Sequence, residues 1–277
     1  MISGLMAAKR KSMSRSANIT LAPSRAARLA VVGARLVPPL LPVLIILHQE
    51  TSTPGRVGNA LRSLGYPLDI RRPRFGDALP ETLIEHAGAV IFGGPMSAND
   101  PDEYVRREID WIAVPLLEQR PYLGICLGAQ MLAMQLGARV APHSQGRAEI
   151  GYYPIRPTSA GLKICPHWPD QVYHWHREGF ELPSTCELLA EGGDFPVQAI
   201  RFGQAFGLQF HPDVTYAMMC RWTTCGADRF DMPGAHPRDQ HFAGRACHDV
   251  VERAWLKHFL DGWLNRAREM MMAEAAE

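Results

Sequence analysis

The chain lacks three features that define common classes of protein. Its 277 residues carry a formal net charge of only +1, so no overall positive field favours binding to nucleic acid. Its six cysteines are too few and too irregularly spaced for a disulfide scaffold, which fits a reducing compartment and predicts a cytoplasmic protein. The apolar run at 36–47 is interrupted by prolines and is shorter than the roughly 20 residues of a membrane helix. We therefore expect neither a nucleic-acid partner nor a membrane span.

The N-terminal region differs from the rest of the chain in composition. Seven basic residues precede the first acidic residue, Glu50, in a stretch rich in Ser and Ala. Such a stretch can be a transit-like leader, a basic tail that contacts an acidic surface, or a poorly ordered extension. We favour the third interpretation, and predict a basic extension over 1–42 and a single domain over 43–277. The whole chain is 47% hydrophobic and 21% charged, a globular composition that can supply a sizeable core.

Apolar runs alternate with helical patterns in the first half of the domain. Three continuous apolar runs, Val43–Leu47, Ala89–Phe92 and Tyr122–Ile125, are typical of strands buried on both faces of a parallel sheet. Between and after them, Arg56–Leu64 and Gly128–Leu136 show helical spacing and are each followed by a glycine. This alternation predicts an α/β protein with a doubly wound sheet.

Further elements are predicted with less regular spacing. Tyr104–Leu117 has a helical pattern, although Pro115 weakens its last turn. In the second half, short strands are predicted at Ile150–Ile155, Gln171–His174, Glu187–Ala190, Gln198–Phe202 and Ala205–Phe210, the last two facing each other across a hairpin turn. Val250–Arg268 is an amphipathic helix whose Trp and Phe stripe is predicted to belong to the core. We expect Arg221 to Gly244 to be irregular, as a lid, a partner-facing loop or a packed surface excursion.

One turn carries the strongest chemical signal. Gly124-Ile125-Cys126-Leu127-Gly128 lies between an apolar strand and a helix, which is the context of a nucleophile elbow. Flanking glycines allow the strand and helix backbones to approach, and the helix N-terminus favours a thiolate. The alternative is a buried structural cysteine in a glycine-containing turn.

A cysteine nucleophile needs a base and a group that orients the base. His211 and Asp213 are two residues apart after a predicted strand, so in an extended chain they project to the same side. The alternative is a surface His-Pro turn with a solvated aspartate. Gly93-Gly94-Pro95 follows another strand, and the backbone N–H groups of Gly94 and Leu127 can point at one oxyanion. That tripeptide is equally compatible with a plain strand-ending turn.

Three ordered motifs together resemble the class I glutamine amidotransferases. They are Phe92-Gly93-Gly94-Pro95, Gly124-Ile125-Cys126-Leu127-Gly128-Ala129-Gln130 and Gly207-Leu208-Gln209-Phe210-His211-Pro212-Asp213-Val214. The resemblance covers roughly residues 43 to 265. Tyr173-His174-Trp175-His176 and Glu149-Ile150-Gly151 also resemble segments of the stand-alone, GMP-synthase-like branch. The resemblance implies a flavodoxin-like α/β sheet and a Cys-His-Glu triad.

The resemblance assigns a role to each motif. Cys126 would be the nucleophile and His211 the general base, while Asp213 takes the position of the family's glutamate with a side chain one methylene shorter. The N–H groups of Gly94 and Leu127 would hold the oxyanion, and Gly93 and Gln130 would bind the substrate. The implied reaction is hydrolysis of the glutamine γ-amide through a thioester on Cys126, with release of ammonia and then glutamate.

The acceptor of the ammonia is left open. There is no phosphate-cradling loop with a P-loop lysine, and about 235 residues leave no room for a second, ATP-using domain. Either a separate synthetase subunit receives the ammonia, or the enzyme hydrolyses γ-glutamyl bonds in glutamine, peptides or conjugates for their own sake. A non-catalytic ligand-binding or redox-sensing domain is a third alternative.

No metal or other cofactor is expected. Two loose Cys/His groups are present: Cys220, Cys225, His236, His241, Cys247 and His248 in one, and His167, His174 and His176 in the other. Neither contains the tight Cys-x2-Cys pair of a zinc ribbon. His174 and His176 alternate on a predicted strand and can share one face, but solvated or hydrogen-bonded histidines are the favoured interpretation.

Overall fold

A parallel sheet forms the centre of the protein. The computed structural model describes residues 40–274, and side chains through residue 266. The predicted extension over 1–42 lies outside the described residues except for its last three positions. The parallel strands are β1 (Val43–Ile46), β2 (Leu68–Arg71), β3 (Gly88–Ile91), β4 (Tyr122–Ile125) and β12 (Ala205–Leu208). Their order, β2-β1-β3-β4-β12, is that of a flavodoxin-like doubly wound sheet, as predicted.

Helices cover both faces of this sheet. Successive β1 side chains point to opposite faces, and all four are fully buried, with Val43 and Ile45 in one apolar cluster and Leu44 and Ile46 in another. The first cluster includes residues of α1 (Gly55–Ser63) and α7 (Arg238–Glu274), and α5 (Ser159–Ile164) packs against it. The second cluster includes residues of α2 (Glu103–Trp111) and α4 (Leu127–Gln135). Burial on both faces explains why β1, β3 and β4 have nearly continuous apolar sequences, whereas the edge strand β2 is half-buried and contains Asp69 and Arg71.

Antiparallel strands extend one edge of the sheet. β7 (Arg156–Pro157), β10 (Glu187–Glu191) and β11 (Val197–Phe202) continue the sheet beyond β12, in the order β12-β11-β10-β7. β11 and β12 form the predicted hairpin, with Phe202 opposite Ala205. Two separate ribbons pair β5 (Val140–Pro142) with β9 (Glu178–Phe180) and β6 (Glu149–Pro154) with β8 (Gln171–His176).

Two predictions about the elements are corrected. The helix predicted over Tyr104–Leu117 is two helices, α2 and α3 (Ala113–Leu117), because Pro115 has no N–H to continue the α2 hydrogen-bond ladder. The segment Arg221 to Gly244 is mainly helical rather than irregular: it contains the end of α6 (Tyr216–Cys225), a 3-10 turn at Ala227–Asp231 and the start of α7. None of the helices in the described part of the chain combines the length and apolar character needed to cross a bilayer.

The C-terminal helix is longer than predicted and contributes large core side chains. Trp255, Phe259, Trp263 and Leu264 are at most 3% exposed, which confirms the core assignment of the aromatic stripe. Val251, one turn before Trp255 on the same helix, is 53% exposed. The ring of Phe259 stacks on Trp255 and meets the Phe206 ring of β12 edge-on, so the helix is attached to the strand that leads to the candidate site.

Truncation of this contact should destabilise the fold. We expect Phe259→Ala to lower the free energy of unfolding by about 3–5 kcal/mol, because it leaves a cavity between α7 and the sheet. Val250→Ala, at a position of the same helix that is 77% exposed, should change it by no more than about 0.5 kcal/mol. Urea unfolding followed by far-UV circular dichroism measures both, and equal effects of the two substitutions would contradict the packing described here.

Candidate active site

Cys126 occupies a strained turn between β4 and α4. Its backbone has φ 50° and ψ −102°, and among the described residues only one other non-glycine residue, Gln119, has a positive φ. A Cβ on Gly124 would lie 2.3 Å from the carbonyl oxygen of Gly128, and a Cβ on Gly128 would lie 2.2 Å from that of Ile91. Both flanking positions therefore require glycine, as the elbow motif predicts.

Backbone hydrogen bonds hold this turn from both sides. The N–H of Cys126 donates to Leu208 O of β12 at 2.8 Å, while its carbonyl oxygen accepts from the N–H groups of Ala129 and Gln130 at 3.0 Å. The side-chain hydroxyl of Tyr122 donates to Gly128 O at 2.9 Å. Cys126 is thus the residue that precedes the first turn of α4, where the helix dipole favours a negatively charged sulfur.

His211 and Asp213 lie beside Cys126, although they are far away in sequence. The His211 Nδ1 is 3.1 Å from Asp213 Oδ1, and both side chains are at most 5% exposed. A Cβ placed on Gly93 would lie 3.4 Å from His211 Nε2 and 3.5 Å from Cys126 Cβ, so Gly93 faces both residues at close range. The shorter aspartate side chain reaches the ring directly. The Asp213 carbonyl is in turn fixed by the Arg56 N–H, at 2.8 Å, at the start of α1.

The electrostatics of this group favour a charged imidazole. Burial by itself lowers the pKa of His211, because it penalises the charged ring, but the sulfur of Cys126 and the carboxylate of Asp213 outweigh burial and raise the pKa to about 10. The same side chains also hydrogen-bond the ring. An imidazolium paired with a thiolate is the form of a Cys-His pair that can attack a carbonyl carbon.

A small pocket opens onto the sulfur. Cys126 lines it together with Gly94, Leu127 and Gln130, the residues that the sequence motifs nominate for oxyanion and substrate binding. A Cβ on Gly93 would lie 2.6 Å from His211 Cε1 and would displace that ring, while one on Gly94 would lie 2.4 Å from Met96 Sδ and would require Met96 to move. The glycines therefore allow the loop after β3 to approach the sulfur closely.

Gln130 and Gln209 contact each other beside the sulfur of Cys126. Gln130 is 3% exposed, and its amide nitrogen donates to Glu178 O at 2.9 Å, which fixes the side chain that was nominated for substrate binding. Gln209 is not among the residues nominated from the sequence, yet its Nε2 lies 3.8 Å from the sulfur of Cys126 and its Oε1 lies 3.4 Å from Gln130 Nε2. Its place two residues before His211 in the third motif was the available signal.

A second, larger cavity lies on the histidine side of the site. The Trp222 ring meets the His211 ring edge-on at a centroid distance of 4.9 Å, and Trp175 packs against Trp222. The cavity has a volume of about 430 Å³, and its lining includes Gly93, Trp175, His211, Arg221, Trp222 and Arg229. Part of the segment Arg221 to Gly244 thus forms a wall of this cavity as helix and turn, rather than as a loop.

One buried cluster could hold a metal ion. Glu149 Oε2 lies 3.4 Å from His174 Nδ1 and 3.1 Å from His176 Nε2, because β6 and β8 pair with Glu149 opposite His176. The predicted partner His167 is exposed and lies outside this cluster. Burial opposes charge on Glu149, but the two histidines lower its pKa to about 2, and burial lowers the pKa of His174 to about 3. Gln198 Nε2 and Glu178 O, which contact Glu149 and His176, complete a hydrogen-bonded network.

Comparisons with known proteins agree with the motifs. Residues 50–219 match the profile of the family described as glutamine amidotransferase class-I, a range that runs from the loop after β1 through Cys126 and Asp213. The glutamine amidotransferase-like protein YfeJ of Salmonella typhimurium is 32% identical over 183 residues, which are 62% of this chain and 76% of that protein. A glutamine-hydrolysing GMP synthase of Thermus thermophilus is 35% identical over 146 residues, 51% of this chain but only 28% of that enzyme.

Solved structures show the same fold. A glutamine amidotransferase of Thermotoga maritima superimposes with a TM-score of 0.72 at 30% identity, covering 81% of this chain and 98% of that one. One from Methylobacillus flagellatus superimposes with a TM-score of 0.76 at 24% identity, covering 82% and 95%, and supports the fold alone. Since the family profile spans more than half of the chain and includes the elbow cysteine and the histidine beside it, this chain belongs to the class I glutamine amidotransferase family.

Proposed function

We propose that this chain hydrolyses the γ-amide of glutamine through a thioester on Cys126 and releases ammonia for a separate acceptor. The observation that supports this most directly is the buried His211 ring, which is hydrogen-bonded to both Cys126 and Asp213 and has its pKa raised to about 10 by their charges. We further propose that residues 43–277 act as one catalytic domain. The six cysteines are unpaired thiols, which supports a cytoplasmic location.

Each proposed role follows from the position of a group. The Cys126 thiolate attacks the γ-carbonyl carbon of glutamine, and the developing oxyanion accepts hydrogen bonds from the Gly94 and Leu127 N–H groups. The His211 imidazolium donates its proton to the amino group of the tetrahedral intermediate, which leaves as ammonia when the C–N bond breaks and the thioester forms. The neutral ring then removes a proton from the water that cleaves the thioester. Asp213 orients the ring and stabilises its charged form. Glutamate is the second product.

The substrate is proposed to lie between Gly93 and α4. Gly93 and Gln130 would contact the glutamyl chain, because both border the pocket or the sulfur. Gln130 also lines the pocket, and its side chain is fixed by a hydrogen bond to Glu178 O. We propose that the ammonia passes to another protein, such as a synthetase subunit; the GMP synthase match covers 28% of that enzyme.

A second candidate function is hydrolysis of γ-glutamyl peptides or conjugates. It is favoured by the cavity of about 430 Å³ beside His211, which is far larger than a molecule of ammonia and lies on the side where the leaving group must be protonated. The aromatic rings of Trp175 and Trp222 would contact a bulky leaving group there.

A substrate panel separates these functions. We expect purified protein to release ammonia from L-glutamine, with stimulation by a copurifying synthetase, whereas γ-glutamyl peptides are cleaved slowly. Faster cleavage of γ-glutamyl peptides without stimulation would favour the second candidate. Cys126→Ala should abolish both reactions and the alkylation by a glutamine-mimicking chloroketone, since each requires the sulfur. If the wild-type protein is neither active nor alkylated, a non-catalytic domain is the correct interpretation.

Asp213 should control the charge of the imidazole. We expect Asp213→Asn to lower glutamine hydrolysis at neutral pH by about 10²-fold or more, because an amide does not stabilise the imidazolium. The pKa of His211 should fall, so the alkaline limb of the kcat/KM profile should move to lower pH. Asp213→Glu, which introduces the residue typical of the family, should retain much more activity than Asp213→Asn. An unchanged alkaline limb in the Asn variant would show that Asp213 does not act on His211.

The chemistry is proposed to need no metal. We expect protein treated with a chelator to keep its glutaminase activity, because attack, oxyanion binding and proton transfer are all assigned to protein groups. The cluster of Glu149, His174 and His176 would then hold the β6–β8 ribbon together by hydrogen bonds. Elemental analysis should give far less than one metal ion per chain, and a zinc stoichiometry near one, lost in His174→Gln, would contradict this.

A further inference from the structure

A buried histidine–glutamate pair lies next to the glycine loop of the site. His48 follows β1, and its Nε2 is 2.7 Å from Oε2 of Glu108 on α2, with both side chains fully buried. The proposed mechanism uses neither residue. The second carboxylate oxygen of Glu108 has no hydrogen-bond partner within the described residues. The contact with His48 is therefore made by Oε2 alone.

The other nitrogen of His48 contacts the candidate oxyanion loop. His48 Nδ1 is 3.2 Å from the carbonyl oxygen of Gly93. Both ring nitrogens of His48 therefore lie within hydrogen-bond distance of an oxygen, the Gly93 carbonyl on one side and the Glu108 carboxylate on the other. A carbonyl oxygen can only accept, so Nδ1 is the donor to Gly93.

Because the peptide bond is planar, the contact between His48 and the Gly93 carbonyl also fixes the orientation of the Gly94 N–H. In a trans peptide the C=O of one residue and the N–H of the next point in opposite directions. A carbonyl of Gly93 that is held toward His48 therefore turns the N–H of Gly94 away from His48. A Cβ on Gly94 would lie 3.1 Å from His48 Cβ and 3.1 Å from Leu127 Cδ2, so Gly94 lies between His48 and the first residue of α4.

We propose that Glu108 and His48 are positioning residues that fix the Gly93–Gly94 peptide, so that the Gly94 N–H faces the carbonyl oxygen of a substrate bound at Cys126. This inference rests on the proposed function, which assigns the Gly94 N–H to the oxyanion. The pair itself never touches the substrate. Glu108 holds the ring by its Nε2, and the ring holds the Gly93 carbonyl by its Nδ1.

The energetics support positioning rather than stability as the reason for this pair. Two polar groups removed from water lose hydration that their mutual contact only partly restores, so a buried pair of this kind is weak evidence for stabilisation. An oxyanion donor, in contrast, is effective only when it is already oriented before the charge develops. A stiff, fully buried connection from α2 to the loop meets that need.

Substitutions at His48 test the proposal through kcat. We expect His48→Leu to lower kcat for glutamine by about 10²-fold with little change in KM, because the oxyanion forms only after the substrate has bound. Glu108→Gln should give a smaller loss in the same direction. His48→Asn places an amide donor near the position of Nδ1 and should recover part of the loss.

A control variant and a second reaction exclude a general loss of structure. His86→Leu removes another buried histidine with a carboxylate partner, Asp69, at 2.9 Å, and does not contact the loop, so its kcat should stay near that of the wild type. Alkylation of Cys126 by iodoacetamide forms no oxyanion, so its rate in His48→Leu should also stay near the wild-type rate. Equal losses of kcat in His86→Leu and His48→Leu, or no loss in His48→Leu, would overturn the proposal.

Crystal structures keep the two hypotheses distinguishable. In the wild-type protein the Gly93 carbonyl should face His48, and in His48→Leu it should have turned or become spread over several orientations. An unchanged orientation in His48→Leu would overturn the positioning role even if the enzyme is active. If the wild-type protein hydrolyses no γ-glutamyl compound, the proposed function fails, while the carbonyl orientation still decides whether His48 holds this peptide.

Discussion

The site depends on the backbone of Cys126, which is held at a φ of 50°. A residue does not adopt this conformation unless its surroundings impose it. Here Leu208 of β12 accepts a hydrogen bond from the Cys126 N–H, and α4 begins at the next residue. Because residues 124 and 128 are glycines, they have no Cβ atoms to collide with the neighbouring backbone. These contacts hold the strained backbone in place, and they position the sulfur just beyond the end of β4.

Strand order then decides which groups meet the sulfur. β4 lies between β3 and β12, and the three strands are parallel, so the residues after them emerge at one edge of the sheet. This places Gly93, Cys126 and His211 side by side although they come from separate parts of the chain. The start of α1 also contributes, since the Arg56 N–H fixes the Asp213 carbonyl.

The sequence was sufficient for the parts of the protein with local signals. β1, β3 and β4 were predicted because strands buried on both faces must be continuously apolar, and the hairpin at β11 and β12 was predicted from its turn. Gln209 was overlooked although it lies within the third motif, two residues before His211. Glu178 and Glu108 were not found, because their contacts join distant elements and no local pattern encodes them. The Ser159–Ile164 helix is capped by Thr158, but its six residues are too short for a clear apolar period, so it was missed. The start of α6, which is capped by Thr215, was missed as well.

The small pocket and the larger cavity concern different parts of the reaction. The small pocket beside Cys126, Leu127 and Gln130 borders the atoms that would attack and stabilise a γ-carbonyl, and these belong to the sheet and α4. The larger cavity is walled by Trp222 and Arg229, from α6 and the turn after it, which the sheet does not determine. The fold therefore accounts for the groups that are proposed to carry out acyl transfer. The side chains that would contact the leaving group, or a protein that covers this opening, are not constrained by the elbow motif.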